Sequence, residues 1–368
     1  MTVKLSSLDF KKNIEKYKDQ FETVSVLDKD GKILDQKTVD SLTDEELVKI
    51  MEYMVWARTL DERTIILNRQ GALGNYAPAG GQEASQIATM AALHDGDFFA
   101  PTYRDVGALT LHGLPLYKGF LWYKGHVAGN QFDEDFQAFV PQVIVGGTIL
   151  PAAGVAMGYQ RQGKENVVMA YCGDAATSQG DFYEGINFAG VYKAPLITII
   201  QNNRYGISVP ISKQTKAETL AQKGVSVGIA SVQVDGMDPL AMYATVKQAR
   251  EYALAGNGPV LIEALTYRFG PHTMSDDPKR YRQDDEVEEW RTKDPLHRMR
   301  VFLKGKGLWD SDHEEKIVEQ CKQDVKEALA RMAEEPAMKV SDLLKHMYEV
   351  QPQIIREQIK LYEQKEMN

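Results

Sequence analysis

The sequence lacks several features that would have decided its class at once. Of 368 residues only two are cysteine, Cys172 and Cys321. No disulfide framework is expected, and a reducing compartment suits the chain. There is no excess of positive charge: 43 basic residues stand against 52 acidic ones, a net charge of −9. With no block of five like charges either, a nucleic-acid partner is not expected. Apolar runs such as PLITII fall far short of the roughly 20 residues a membrane helix needs, so no membrane partner is expected. The opening MTVKLSSLDFKKNIEKYKDQ has no apolar segment and mixes acidic residues among its lysines. Neither trait fits a signal or transit peptide, and the expectation is a soluble, cytoplasmic protein. No G-x-G-x-x-G follows a strand-like run, which argues against a nicotinamide dehydrogenase. Internal repeats and low-complexity linkers are also lacking.

What is present is a core-forming chain, 43% apolar, long enough for one large or two modest domains. Three segments are expected: an N-terminal arm over 1–42, an α/β domain over 43–295 and a helical segment over 296–368. In the arm, VSVLDKDGKIL predicts a small hairpin around Asp30-Gly31. SLTDEELVKIMEYMVWARTLDERTIILNRQG predicts a long amphipathic helix, capped by Ser41 or Thr43 and ended before Gly71. GGQEASQIATMAAL predicts a second helix, polar on one face. From about Asn166, NVVMAYC, LITIIQ, SVQV and VLIEAL read as short apolar strands separated by helical stretches. That alternation implies parallel βαβ units and a sheet covered on both faces. In the last segment Ile317, Cys321, Val325 and Leu329 recur every four residues, one helical stripe.

The chemistry centres on YCGDAATSQGDFYEGINFAGVYKAPLITIIQNN, Tyr171 to Asn203. Gly173-Asp174 falls at the carboxyl end of one strand and Asn202-Asn203 at that of the next. Between them lies a helix that Thr177 or Ser178 could cap, with Phe182, Ile186 and Ala189 on one face and Pro195 as its stop. Open α/β sheets bind ligands at this edge. Asp174 offers a charged oxygen and Asn203 a neutral one. With a carbonyl from the following RYGIS turn and two phosphate oxygens, they would suit magnesium. Either pair alone is ordinary turn chemistry; two pairs one βαβ unit apart are not.

Gly-Asp, about 30 residues, then Asn-Asn resembles the thiamine-diphosphate signature. GQEASQIA, PTYRDVG, SQGDFYEGINFAGVYKAP, QNNRYGIS, VDGMDPLA and PHTMSDDPKRYR extend the likeness from about Ser41 to Leu308. They are similar to the alpha subunit of the decarboxylase component of 2-oxo acid dehydrogenase complexes, and most similar to bacterial pyruvate dehydrogenase alpha chains. The resemblance implies a thiamine-diphosphate-binding fold, with thiamine diphosphate and magnesium as cofactors. It puts Asp174, Asn203 and the carbonyl of Tyr205 on the metal. It puts Tyr103, Arg104, Val143, Val145, Gly173, Ala175, Ala176, Arg268 and His272 around the cofactor, with Val145 as the aliphatic support beneath it. His272, Tyr281 and Arg282 match the family's active-site loop. There the histidine contacts the cofactor and serves proton handling and acyl transfer; imidazole titrates near neutral pH. Thr273 and Ser275 fall near positions phosphorylated in some relatives. The implied reaction is oxidative decarboxylation of pyruvate with acetyl transfer to lipoyl groups of a partner transacylase. Branched-chain 2-oxo acid and acetoin dehydrogenases share these motifs. The Glu that activates the cofactor belongs to the family's beta chain, so two alpha and two beta chains are expected to work together.

One departure stands out. The family usually reads Gly-Asp-Gly where this chain has Gly173-Asp174-Ala175. If position 175 needs positive φ, Ala there costs about 1 kcal/mol. If it does not, Ala is harmless. A catalytically impaired binding or assembly subunit is the reading that strain would favour.

Overall fold

The computed structural model describes residue 9 and residues 21–366. Most of the opening segment read against a signal peptide, and the last two residues, lie outside these. Six strands form one wholly parallel sheet: β1 (Thr23–Val24), β2 (Phe98–Ala100), β3 (Val168–Gly173), β4 (Leu196–Asn202), β7 (Ala230–Asp235) and β8 (Val260–Leu265). Their spatial order is β1-β7-β8-β4-β3-β2. β5 (Tyr205–Gly206) and β6 (Val209–Pro210) form a separate antiparallel pair. The chain lays down β2, β3 and β4 in one direction, then returns through β7 and β8 to the other side of β4. A crevice opens at the carboxyl ends where the order reverses.

The central strands are buried on both faces, which their unbroken apolar runs predict. Along β3, Val168, Ala170 and Cys172 join one core, and Met169 and Tyr171 the other. The first core packs on α2 (Ile149–Arg161) and α3 (Gly180–Tyr192); the second packs on α1 (Asp44–Arg69) and α4 (Pro239–Tyr252). α2 and α3 approach closely because Gly185 has no side chain. A Cβ there would lie 2.9 Å from Ile149 Cγ2 and 3.0 Å from Leu150 N.

α1 begins at a capping box. Thr43 Oγ1 accepts from the Glu46 amide, and the Glu46 carboxylate accepts from the Thr43 amide. Thr43, rather than Ser41, is therefore the cap, and Gly71 follows at φ 73°. The C-terminal helix α6 (Ser311–Ala333), reached after α5 (Pro295–Gly305), buries Cys321, Val325 and Ala328 against α1. Ala328 is more fully buried than the predicted Leu329, because the stripe drifts around the helix.

Several local expectations change. The hairpin near Gly31 is a single antiparallel bridge, Leu27 to Ile33. The residues before it instead join the main sheet as β1, paired with β7. Gln82 to Met90 are buried throughout, with a π-helical turn at Ala84–Ala88. Their predicted polar face meets the site and Arg58 rather than solvent. Neither Thr177 nor Ser178 caps α3. Residues 174–178 form a 3-10 turn in which the Thr177 hydroxyl donates to the Asp174 carbonyl at 2.7 Å. α3 starts only at Gly180 and ends at Lys193, whose left-handed φ of 52° closes it before Pro195 is reached. β2 went unpredicted because three residues are too few for a period to register.

Candidate active site

A cleft of about 740 Å³ opens at the carboxyl edge of the sheet. Sequential turns supply its walls. β3 delivers Gly173, Asp174, Ala175 and Ala176; β4 delivers Asn203 and Tyr205; the turn after β2 delivers Tyr103 and Arg104. Val143 and Val145 line it from a loop whose residue Gln142 is bridged to Thr102. Arg268 and His272 enter from beyond β8. The parallel register brings these turns level: Gly173 pairs with Gln201, and Asn202 with Leu265. Asp174 and Asn203, 29 positions apart in sequence, thus face one cavity.

The Asp174 side chain is buried, 2% exposed, and meets donors only. Gln214 Nε2 lies 3.2 Å from its Oδ2, and the amides of Asp174 and Ala175 also reach it. Burial raises its pKa to about 6, against these donors and the more distant Arg268. Such a carboxylate calls for a cation. Asn203 donates its Nδ2 to Gln82 Oε1 at 3.1 Å. Its Oδ1 receives only a long contact, 3.4 Å, from the Tyr205 amide. The Tyr205 hydroxyl donates to Glu286 at 2.8 Å, and the residue also lines the cleft.

Opposite these oxygens sits a positive group. Arg104 Nη2 donates to the His272 carbonyl at 3.0 Å and lies 3.3 Å from the His272 Nδ1. Arg268 Nη1 lies 3.1 Å from the same Nδ1, while its Nη2 donates to the Ile207 carbonyl and the Tyr281 hydroxyl. Both guanidinium groups are buried, yet among the described residues neither pairs with a carboxylate. Among the described residues the Nε of Arg268 has no hydrogen-bond partner. Two buried, uncompensated cations beside a cavity are a cradle for an anion. Burial, Arg104 and Arg268 together push His272 down to about 4, against the pull of Asp276. Two N–H groups converge on Nδ1, so that atom accepts and the neutral ring carries its proton on Nε2. Near-neutral titration, the sequence expectation, does not hold for this geometry.

Tyr281 and Arg282 stand behind the cleft instead of lining it. The Tyr281 hydroxyl donates to Asp276, whose other contact is the His272 amide at 2.8 Å. Arg282 donates to the carbonyls of Arg268, Phe269 and Gly270, and so holds the loop in shape. Thr273 lines the cleft and its hydroxyl is 3.1 Å from that of Ser275.

Ala175 shows no strain. Among the described residues the non-glycine positions at positive φ are Lys193, Arg204 and Ile207, and Ala175 is not one of them. Its methyl group packs beside Gly206, where an added Cβ would come within 2.9 Å. The strain sits instead at Arg204 (φ 75°) and Ile207 (φ 58°), in the turn after Asn203. That turn aims the Ile207 carbonyl at Arg268. Sequence reasoning missed Tyr76, Trp122, Tyr123, Ile207, Val209 and Gln214 in the lining. Nothing in spacing or periodicity marks them.

The family profile described as "Dehydrogenase E1 component" matches residues 51–341. The pyruvate dehydrogenase E1 component subunit alpha of Bacillus subtilis (strain 168) is 52% identical over 364 residues, 99% of this chain and 98% of its own length. The protein of the same name in Bacillus cereus is 52% identical, covering 94% of each chain. That of Staphylococcus aureus (strain Mu50) is 53% identical, again over 94% of each. The chain belongs to the dehydrogenase E1 component family.

Proposed function

We propose that this chain is the alpha subunit of a pyruvate dehydrogenase, binding thiamine diphosphate through magnesium and working in the cytoplasm with a beta subunit. The carrying observation is the pairing of opposite needs in one cleft. Asp174 and Asn203 offer oxygens that call for a cation, and Arg104 and Arg268 offer N–H groups that call for an anion. A magnesium diphosphate meets both. Asp174, Asn203 and the Tyr205 carbonyl would hold the metal; Arg104 and Arg268 would hold the phosphates.

Thiamine diphosphate, when bound, supplies the electron sink for decarboxylating a 2-oxo acid. The chain's own residues bind, orient and donate. His272, neutral with its proton on Nε2, is set up to hydrogen-bond and hand over a proton rather than to act as a fixed charge. Tyr281 and Arg282 hold the loop that presents it. Val143 and Val145 bring apolar surface to the cavity. They are 66% and 49% exposed, and Ile144 between them 71%. Such a wall is suited to cover by a second chain. The lining residues run from Asn75 to Thr273, within the segment 43–295 that we assign to diphosphate binding. The assembly is two alpha and two beta chains delivering acetyl groups to a lipoyl-bearing transacylase.

The test is decarboxylation by the chain co-expressed with its beta partner. Pyruvate should be turned over well ahead of 3-methyl-2-oxobutanoate and acetoin. A preference for either of those would reassign the substrate.

A further inference from the structure

Two buried amide side chains join Asn203 to a carboxylate that does not line the cleft. Asn203 Nδ2 donates to Gln82 Oε1 at 3.1 Å. Gln82 Nε2 donates to Gln201 Oε1 at 2.6 Å, and Gln201 Nε2 donates to Asp105 Oδ1 at 2.7 Å. The other oxygen of Asp105 accepts from the Thr102 amide at 2.7 Å and the Thr102 hydroxyl at 2.6 Å. Gln82, Gln201 and Asp105 are 1%, 3% and 0% exposed, so water cannot supply substitute partners.

The direction of this chain is forced. Burial raises the pKa of Asp105, while the hydrogen bonds from Thr102 and Gln201 lower it; as the carboxylate these donors favour, it only accepts, so Gln201 turns its amino group toward Asp105. Its oxygen then faces Gln82, which must answer with an amino group. The Gln82 oxygen in turn claims the amino group of Asn203. What remains for the cavity is the carbonyl oxygen of Asn203. Were the far end a donor, every amide would turn over and Asn203 would present N–H to the cation.

We propose that Asp105, acting through Gln201 and Gln82, is the positioning residue that fixes Asn203 with its oxygen toward the metal. This rests on the magnesium reading of the cleft. The relay is separable from that reading, because its hydrogen bonds exist without metal.

Asp105→Asn keeps shape and reverses polarity. The Thr102 amide still requires an oxygen, so the new side chain must turn its amino group toward Gln201. In the complex with the beta chain, manganese is titrated with thiamine diphosphate present and followed by its electron spin resonance. Asp105→Asn should weaken manganese binding about 10–100-fold. Adding Asn203→Asp to that variant should bring affinity back near the parent value, since the reversed relay now ends on an acceptor. A second arm uses metal-free, cofactor-free protein. Asn203→Asp alone puts carboxylates at both ends of the relay and should lower the melting midpoint by about 2 °C or more. Adding Asp105→Asn should recover it. If Asp105→Asn does not assemble, Gln82→Leu, which cuts the relay, should weaken manganese binding, and parent-like affinity in that variant would overturn the relay. Unchanged manganese affinity in Asp105→Asn beside a parent that binds, or melting effects that merely add, would overturn the relay. A parent that binds no manganese would instead overturn the metal reading, and the melting arm would still decide the relay.

Discussion

Asp174 carries a conflict that the proposed cation would resolve. Its folded-state pKa, about 6, lies above the ordinary carboxylate value. Between about pH 4 and 6 the unfolded chain therefore releases a proton that the folded chain keeps, and stability falls as pH rises through that window. Above it the metal-free protein holds a buried, unpaired carboxylate. Asp174→Asn should accordingly stabilise the metal-free protein at pH 8 by about 1–3 kcal/mol while removing metal binding. Urea unfolding of the two proteins checks this. His272 runs the opposite way. Its value near 4 lies below that of an unfolded histidine, so its contribution is intact above about pH 6.5 and is lost as pH falls toward 4. Nitrogen NMR of the cofactor-free protein should show a neutral ring, protonated at Nε2, at pH 6. Inorganic diphosphate should raise the pKa by neutralising Arg104 and Arg268. At this scale the sequence revealed the Asp174 and Asn203 pair, because turn residues at two strand ends leave a spacing. It could not reveal Gln82, Gln201 and Asp105 as one relay. Their link is a hydrogen-bond direction across separate segments, and only coordinates display that.

Elements were legible where they were long and periodic. β3, β4, β7 and β8 were visible as apolar runs, and α1 by its cap and acidic first turn. β1 and β2, two and three residues long, leave no period to read. The helix through 84–91 read as amphipathic because its polar residues line an interior network; polarity alone does not separate solvent from a buried site. The α2–α3 contact makes a direct prediction. Gly185→Ala drives a methyl group into the Ile149 backbone and should cost about 1–3 kcal/mol in urea unfolding. Because these helices flank β3, the loss should also loosen the turn that carries Asp174.

The apolar rim of the cleft belongs to the scale of the whole molecule. Val143, Ile144, Val145, Ile207 and Val209 are exposed apolar residues around the cleft. Such a rim suits the second chain proposed above. Purified alone, the protein should decarboxylate no 2-oxo acid, and activity should appear on adding the beta chain. Hydrogen exchange at 142–147 should slow on the same addition. The central claim, that Asp174 and Asn203 grip one divalent ion, is tested most directly by calorimetric titration of magnesium into the assembled complex with thiamine diphosphate. One ion should bind per copy of this chain. Asp174→Ala and Asn203→Ala should each abolish that binding, and the double variant should lose nothing further. Parent-like magnesium affinity in either single variant would contradict the account.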